Sequence, residues 1–339
     1  MRKIKIEEAV GEKLAYDVTE VDVYKGFKGT AFTRGHIITH DDLDKFIKLG
    51  RQHVYIEDKN DIDLHENDVA EMIAPLAAGE NIYFDKKAVE GKVSFYAKKR
   101  GVFKIDKERI LAINRLEIPS FPVIHNNYPV NAGKSVAAFR IIPLTCTNSM
   151  FNKIKQFLEK PLFDVRPYKV QKVSILVTGS EVYYGHKKDA FIPRIKNKLK
   201  ELNIDKILSR IVPDDEKIII ASIKELLMES EVLIITGGTS VDPDDITRNA
   251  IVKSDIKLLR FGNPIQPGNN LSIGYLDDKV VCAVPAAALF YKSTSLDIFL
   301  PRIIARDKIT KNDLADISIG GLCHFCDQCV FPVCPFGKY

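Results

Sequence analysis

From residue 173 onward the chain repeats a pattern that few folds can satisfy: a short, continuously apolar run, then an amphipathic helical stretch, then another apolar run. The runs cover 173–178, 207–212, 231–236 and 280–284. The helical stretches cover 189–202, 214–228 and 246–254, and a final one spans 286–305 with an interruption at Pro301. A strand that is apolar along its whole length offers water no face, so it must lie inside a sheet covered on both sides. The alternation predicts an α/β domain, a three-layer, mostly parallel sheet with helices on both faces. Its ligands collect at the carboxyl ends of the strands.

The first half follows no such rule. Residues 31–39 read as a strand, 41–49 as a helix opened by Asp41, and 53–57 as a strand; a helix over 66–78 and a β-rich stretch through 142 follow. An amphipathic helix over 150–161 stops at Pro161. We therefore expect an α+β N-terminal region over 1–168, the α/β domain over 169–314, and a cysteine-rich tail over 315–339 as a separate unit.

Composition narrows the function classes. A chain of 339 residues with 45% apolar and 28% charged residues is globular and long enough for two domains. No apolar run approaches the roughly 20 residues of a membrane span, and the start Met1-Arg-Lys-Ile-Lys-Ile-Glu-Glu lacks the apolar core of a signal peptide, so a cytoplasmic protein without membrane contact is expected. The net charge of +5, from 50 basic and 45 acidic residues spread along the chain, suits a small anionic ligand. With no tryptophan and no aromatic residues interleaved with basic ones, it does not suit nucleic acid.

Two strands end alike, in Thr178-Gly179-Ser180-Glu181 and Thr236-Gly237-Gly238-Thr239-Ser240. Glycine lets backbone approach an anion, and hydroxyls and amides beside a helix N-terminus can donate to phosphate oxygens; either loop alone could equally be a tight turn. Neither a Gly-x4-Gly-Lys-Ser/Thr loop nor a Gly-x-Gly-x2-Gly turn follows a strand, which removes the common nucleotide-binding readings. The second loop continues into Asp242-Pro-Asp244-Asp245. Helix capping explains one of these carboxylates; three suggest magnesium bridging to phosphate.

These residues, in this order, resemble the molybdopterin-binding domain shared by molybdopterin adenylyltransferases and molybdopterin molybdenumtransferases, over roughly 165–305. Thr178-Gly179-Ser180-Glu181 is similar to the family's Thr-Gly-Asp/Ser-Glu turn, Asp189 sits where the next helix carries an aspartate, and Val212-Pro-Asp214-Asp215 is similar to its Val-x-Asp-Asp segment. Gly237-Gly238 and Asp245 keep the family's spacing, and Thr247 resembles the adenylyltransferase branch. Pro264-Ile-Gln266-Pro267-Gly268-Asn269-Asn270 and Val284-Pro285-Ala286-Ala287-Ala288 resemble the Lys-Pro-Gly-Lys-Pro and Pro-Gly-Asn-Pro stretches of the molybdenumtransferase branch, with Gln266 and Asn269 where that branch has lysines.

The resemblance implies that Thr178, Gly179, Ser180, Asp189, Asp214, Thr236, Gly237, Gly238, Thr239, Ser240, Thr247 and Pro285 hold molybdopterin. It implies Glu181 and Asp245 as catalytic, Asp242 and Asp245 as magnesium ligands, and molybdopterin and molybdate as substrates. Three activities follow from it: molybdenum insertion, carriage or sensing of the finished cofactor, and adenylylation. It also implies a homodimer, with molybdoenzymes or other cofactor-biosynthesis proteins as partners. In the N-terminal half, Leu64-His65-Glu66-Asn67-Asp68 stands where the transferases carry an Asp-Gly-Tyr-Ala segment; a solvated helix start is the simpler reading of His65 and Glu66.

The tail carries Cys323-x2-Cys326-x2-Cys329-x4-Cys334-Pro335, while Cys146 and Cys282 stand alone. Four thiols this close in a cytosolic chain point to a tetrahedral zinc site or a [4Fe–4S] cluster, with His324 a bystander.

Overall fold

The computed structural model describes residues 1–58, 63–238 and 246–338. The chain forms two compact units: Met1–Lys98, Ile105–Ile124 and Gly133–Asp164 make the first, and Lys99–Lys104, His125–Ala132 and Val165–Tyr339 the second.

In the first unit, Arg2–Lys5 pairs antiparallel with His53–Ile56, and Val18–Asp22 forms a hairpin with Phe27–Phe32, so the expected strand over 31–39 lies earlier. Ile6, Leu14, Ile38 and Val54 are buried around Phe46, which stacks on Phe32 at 4.2 Å. A second antiparallel sheet runs in the order Ile82–Phe84, Val93–Ala97, Ser135–Ile141, Pro119–Ser120. Its core is aromatic: Phe121 meets Phe95, Phe139 and Phe163 at 5.1–5.7 Å. The helix Glu66–Ala77 forms as expected. That expected over 150–161 is shorter, Asn148–Lys155, capped by the Thr147 hydroxyl.

The second unit is the α/β domain. Its sheet strands are β1 (Lys172–Thr178), β2 (Lys206–Val212), β3 (Val232–Thr236), β4 (Lys257–Leu258), β5 (Ser272–Leu276) and β6 (Lys279–Val284), in the order β2-β1-β3-β6-β5-β4. The strands β2, β1, β3 and β6 are parallel, and β5 and β4 add antiparallel at one edge. The helices are α1 (Ser180–Tyr183), α2 (Phe191–Lys200), α3 (Glu216–Glu229), α4 (Ile246–Lys253), α5 (Ala287–Phe290), α6 (Ser295–Ile304) and α7 (Lys311–Asp316). Alternation along β1 places its layers: Val173, Ile175 and Val177 pack with Ile195 and Leu199 of α2 and Phe299 and Ile303 of α6, while Leu176 packs on the other face with Ile219 and Ile223 of α3 and Ile251 of α4.

The break expected at Pro301 falls earlier. Pro301 stays inside α6, and the interruption lies between α5 and α6, where Thr294 and Asp297 form a capping box that starts a new helix. The carbonyls left open at the break are taken by α2: Arg194 donates to Ala288 O and Tyr291 O at 3.3 and 2.9 Å. Lys198 donates to Lys292 O at 2.9 Å and pairs with the Asp297 carboxylate.

Residues 315–338 pack into this unit. Phe336 is 2% exposed within the same apolar cluster as α2 and α6, against which Cys323, Phe331 and Cys334 also lie. The tail joins the loop after β4 by two backbone hydrogen bonds, Gln266 N to Gly321 O at 2.9 Å and Cys323 N to Gln266 O at 2.8 Å.

An ion cluster closes the end of α6. Asp307, 6% exposed, accepts from Arg302 at 2.7 Å, Lys104 at 2.9 Å and Arg166 at 2.5 Å, and Arg302 also reaches Asp313 at 2.8 Å. Burial alone would raise the Asp307 carboxyl. The charge of Arg302 and the hydrogen bonds of Lys104 and Arg302 outweigh it and hold the group below its ordinary value. At Lys104 burial wins and the ammonium is held low.

Two outcomes follow. A depressed carboxyl contributes stability that is complete above its unfolded pKa of about 3.9 and is lost as pH falls through the lower folded value. Asp307→Asn should therefore flatten the acid limb of the melting-temperature profile, and should cost about 3 kcal/mol at neutral pH by leaving Arg302 short of its buried counter-charge. Phe336→Ala should cost about 3 kcal/mol in denaturant unfolding of the full chain, through the core cavity it leaves; an unchanged midpoint would mean that the tail is not docked.

Candidate functional site

The carboxyl ends of β1 and β3 lie side by side, because the two strands pair in parallel with Val177 opposite Thr236. Their loops meet at Gly237, whose backbone adopts φ +90°. A Cβ there would fall 1.9 Å from the Thr178 carbonyl oxygen. Only glycine fits, for both conformation and space.

Hydroxyls line this junction, and the structure shows what each is doing. Thr178 Oγ1 lies 2.8 Å from Thr247 Oγ1 and 3.4 Å from Thr236 O, so the end of β1 is fastened to the first turn of α4. Thr178 and Thr247 are both buried, and they bond each other. Thr236 is fully buried, and its hydroxyl has no hydrogen-bond partner among the described residues. A buried hydroxyl without a partner costs free energy on the order of 1–3 kcal/mol, and residues 239–245, which follow this strand end, lie outside the described residues.

The first loop is tied back to the next crossover. Gly179 N donates to Val212 O at 3.1 Å, Ser180 N donates to the Asp214 carboxylate at 2.8 Å, and Asp214 N donates to Ser180 Oγ at 3.0 Å. The carboxylate of Asp214 thus occupies the amide at the start of α1 that an anionic ligand would use. Glu181 is exposed and pairs with Lys187. Asp189 caps α2, accepting from Phe191 N and Ile192 N at 3.0 Å each, and Asp215 caps α3 through Ile218 N at 3.0 Å. Gly238 adopts φ +51°. Thr239, Ser240, Asp242, Asp244 and Asp245 lie outside the described residues.

The loop between β4 and β5 is rigidly built. The Asn263 side-chain amide donates to the carbonyls of Gly268, Asn269 and Leu271 at 3.0–3.3 Å, and Ser295 Oγ donates to Gly268 O at 2.6 Å. Gln266 and Asn269 are exposed on it. Pro285 begins the turn into α5, accepting from Ala288 N at 3.1 Å. Sequence reasoning missed Arg248: on the first turn of α4, next to Thr247, its guanidinium lies 3.7 Å from the centre of the Phe261 ring at the entry to this loop. Its position directly after Thr247 was the available signal.

The four tail thiols, Cys323, Cys326, Cys329 and Cys334, all line one cavity of about 430 Å³, which His324 also borders. Among the described residues no three histidine, cysteine or acidic side chains are close enough to hold a single ion. Cys282 belongs to the core, where burial pushes its thiol up to about 12, and Cys146 is buried in the first unit.

Also in the first unit, His65 and Glu66 are 6% and 5% exposed, which corrects the reading of a solvated helix start. His65 Nδ1 accepts from Asn67 N at 3.1 Å as the helix cap, and burial lowers its pKa. Glu66 lies 3.7 Å from Arg140, and burial raises its carboxyl despite that charge.

Among the described residues no helix is long and apolar enough to cross a membrane. Residues 3–58 match a family model described as a domain of unknown function. A CinA-like protein of Thermosipho melanesiensis is 33% identical over 96 residues, 28% of this chain and 24% of that protein. A protein of Methanocaldococcus jannaschii named for molybdopterin biosynthesis is 32% identical over 116 residues, 33% of this chain and 28% of that protein. The matched stretch thus spans about a quarter of the length of these curated relatives. Among solved structures, the molybdopterin biosynthesis enzyme MoaB of Thermus thermophilus covers 41% of this chain and 98% of its own at 15% identity and a TM-score of 0.32. The molybdopterin biosynthesis protein MoeA of Pyrococcus horikosii covers 90% and 75% at 13% identity and a TM-score of 0.33. Residues 174–282, which run from β1 into β6, match the family model described as a probable molybdopterin binding domain, and over that stretch the α/β unit is similar to this family.

Proposed function

We propose that the α/β unit binds molybdopterin across the carboxyl ends of β1 and β3 and serves molybdenum-cofactor biosynthesis as a molybdopterin molybdenumtransferase. In this reading adenylylated molybdopterin and molybdate are the substrates, the adenylyl bond is cleaved, and molybdenum passes to the dithiolene. The observation that supports it best is the junction at Gly237, where the glycine-containing ends of two parallel strands meet so closely that only glycine fits against the Thr178 carbonyl.

The residues take distinct parts in this reading. Thr178 and Thr247 act as the fastening beneath the ligand, since their hydroxyls bond each other. Ser180 and Asp214, whose amides and side chains bond each other, fix the edge that meets the pterin end, where the Asp214 carboxylate can still accept from it, and Asp189 holds the start of α2 behind them. Gly179, Gly237, Gly238, Thr239 and Ser240 approach the phosphate through the backbone and hydroxyls, Pro285 shapes the facing turn, and Glu181 positions water. Magnesium, carried on Asp242 and Asp245, supplies charge neutralisation at the phosphate oxygens when bound. Arg248 contributes the cation that Gln266 and Asn269 do not. The same reading takes the protein as a cytoplasmic homodimer that passes its product to molybdoenzymes, with the tail thiols holding zinc or an iron–sulfur centre.

One observation favours a carrier without turnover: Gln266 stands uncharged on the candidate site and is hydrogen-bonded through both its backbone groups to the tail. Adenylylation gains little from Thr247, whose hydroxyl is already engaged.

Purified protein given adenylylated molybdopterin, molybdate and magnesium should release AMP. Tight pterin binding without AMP would leave the carrier, and neither would end the pterin reading. Arg248→Ala should weaken molybdopterin binding about tenfold and reduce its salt dependence, with Arg248→Lys recovering part of the affinity, as titration calorimetry at two ionic strengths would measure.

A further inference from the structure

The tail thiols leave one question that geometry can address, namely which kind of metal centre they suit. A single zinc ion draws four thiolates to about 2.3 Å from itself, which sets the sulfurs about 3.8 Å apart and leaves no space among them. The tail is arranged otherwise. Cys323, Cys326, Cys329 and Cys334 stand around an open volume of about 430 Å³, and among the described residues no three metal-ligating side chains converge on one point. Yet the cysteines are not on a loose strand: Cys323 and Cys334 pack against the core, and Cys323 N is fixed to Gln266 O.

The walls are largely aromatic and apolar, and they stand open to solvent on one side, with Phe290, Phe325 and Val330 exposed and Phe336 buried. Phe290, Tyr291, Phe325, Val330 and Phe336 border it, and Tyr291 meets Phe325 edge-on at 5.9 Å. Two sulfurs already have hydrogen-bonding neighbours, Cys323 Sγ accepting from Phe325 N at 3.4 Å and Cys329 Sγ lying 3.3 Å from Ser293 Oγ. The left-handed backbone of Phe325, φ 52°, makes the tight turn between the first two cysteines. Hydrogen bonds to cysteine sulfur are among the protein's means of tuning iron–sulfur centres.

We propose that Cys323, Cys326, Cys329 and Cys334 hold a [4Fe–4S] cluster, for whose inorganic core this cavity has room, with one thiolate at each iron. The inference rests on the metal reading of the tail and not on the pterin reading of the strand ends.

The test uses the full chain, purified without oxygen and reconstituted in parallel with iron plus sulfide under a thiol reductant, and with zinc alone. The expected result is four irons and four sulfides per chain, with a broad visible absorption that dithionite bleaches. Cys326→Ser and Cys334→Ser should each lose most of the bound iron at an unchanged melting temperature of the metal-free chain, while His324→Ala should keep it. One zinc per chain without retained iron or sulfide would overturn the proposal, as would iron loss in His324→Ala equal to that in the cysteine variants. Should a cysteine variant fail to fold, the wild-type iron and sulfide counts alone decide. Pterin titration of the same samples is scored separately, so cluster loss with intact pterin binding counts against this inference only.

Discussion

The contact on which the candidate site depends is between two backbones. Gly237 sits against the Thr178 carbonyl so closely that no side chain can intervene, and this draws the ends of β1 and β3 into one surface. Parallel pairing sets the two strands in register, the Thr178–Thr247 hydroxyl pair fastens α4 beneath them, and the Ser180–Asp214 exchange holds the neighbouring crossover. Each is a modest interaction, a hydrogen bond typically being worth about 1 kcal/mol net, so their effect lies in position more than in stability. What they position is a set of amides and hydroxyls at a helix start, where a sheet of this type gathers its ligands.

The sheet was legible because its central strands have to be apolar on both faces. β1 and β3 could be read directly, and α2 and α3 followed from their periodicity. The edge strands β4 and β5 were not, since β4 is only two residues long and their outer residues are not apolar throughout or fully covered, Lys257 being exposed and Leu258, Tyr275 and Leu276 half-buried. The same holds for the segments 99–104 and 125–132, which join the second unit through pairing of Gly101 and Val102 with Val130 and Pro129 and through Lys104 with Asp307. Sequence spacing carries no record of such long-range contacts.

For the site, residue type was legible and employment was not. A threonine at a strand end can face a ligand or a neighbouring element, and Thr178 and Thr247 face each other. Asp189 and Asp215 cap helices, a local duty that any aspartate before an amphipathic run can take. Arg248 escaped notice because its significance comes from Phe261, thirteen residues on. The break before α6 escaped for a similar reason: Pro301 is the louder signal, but the Thr294 and Asp297 capping box decides where the helix begins.

The ladder between Gln266 and the tail joins two places that the sequence holds more than fifty residues apart. Both backbone groups of one residue are committed to it, so the loop cannot slide past the tail without breaking two hydrogen bonds together. If the proposed occupants bind, one that steadies the cysteines would also steady the loop beside the candidate site, and any such coupling would run with equal strength in reverse. Occupancy of one end would then be legible at the other as a change in affinity, carried by two backbone hydrogen bonds and not by any tail side chain at the strand ends in the contacts described.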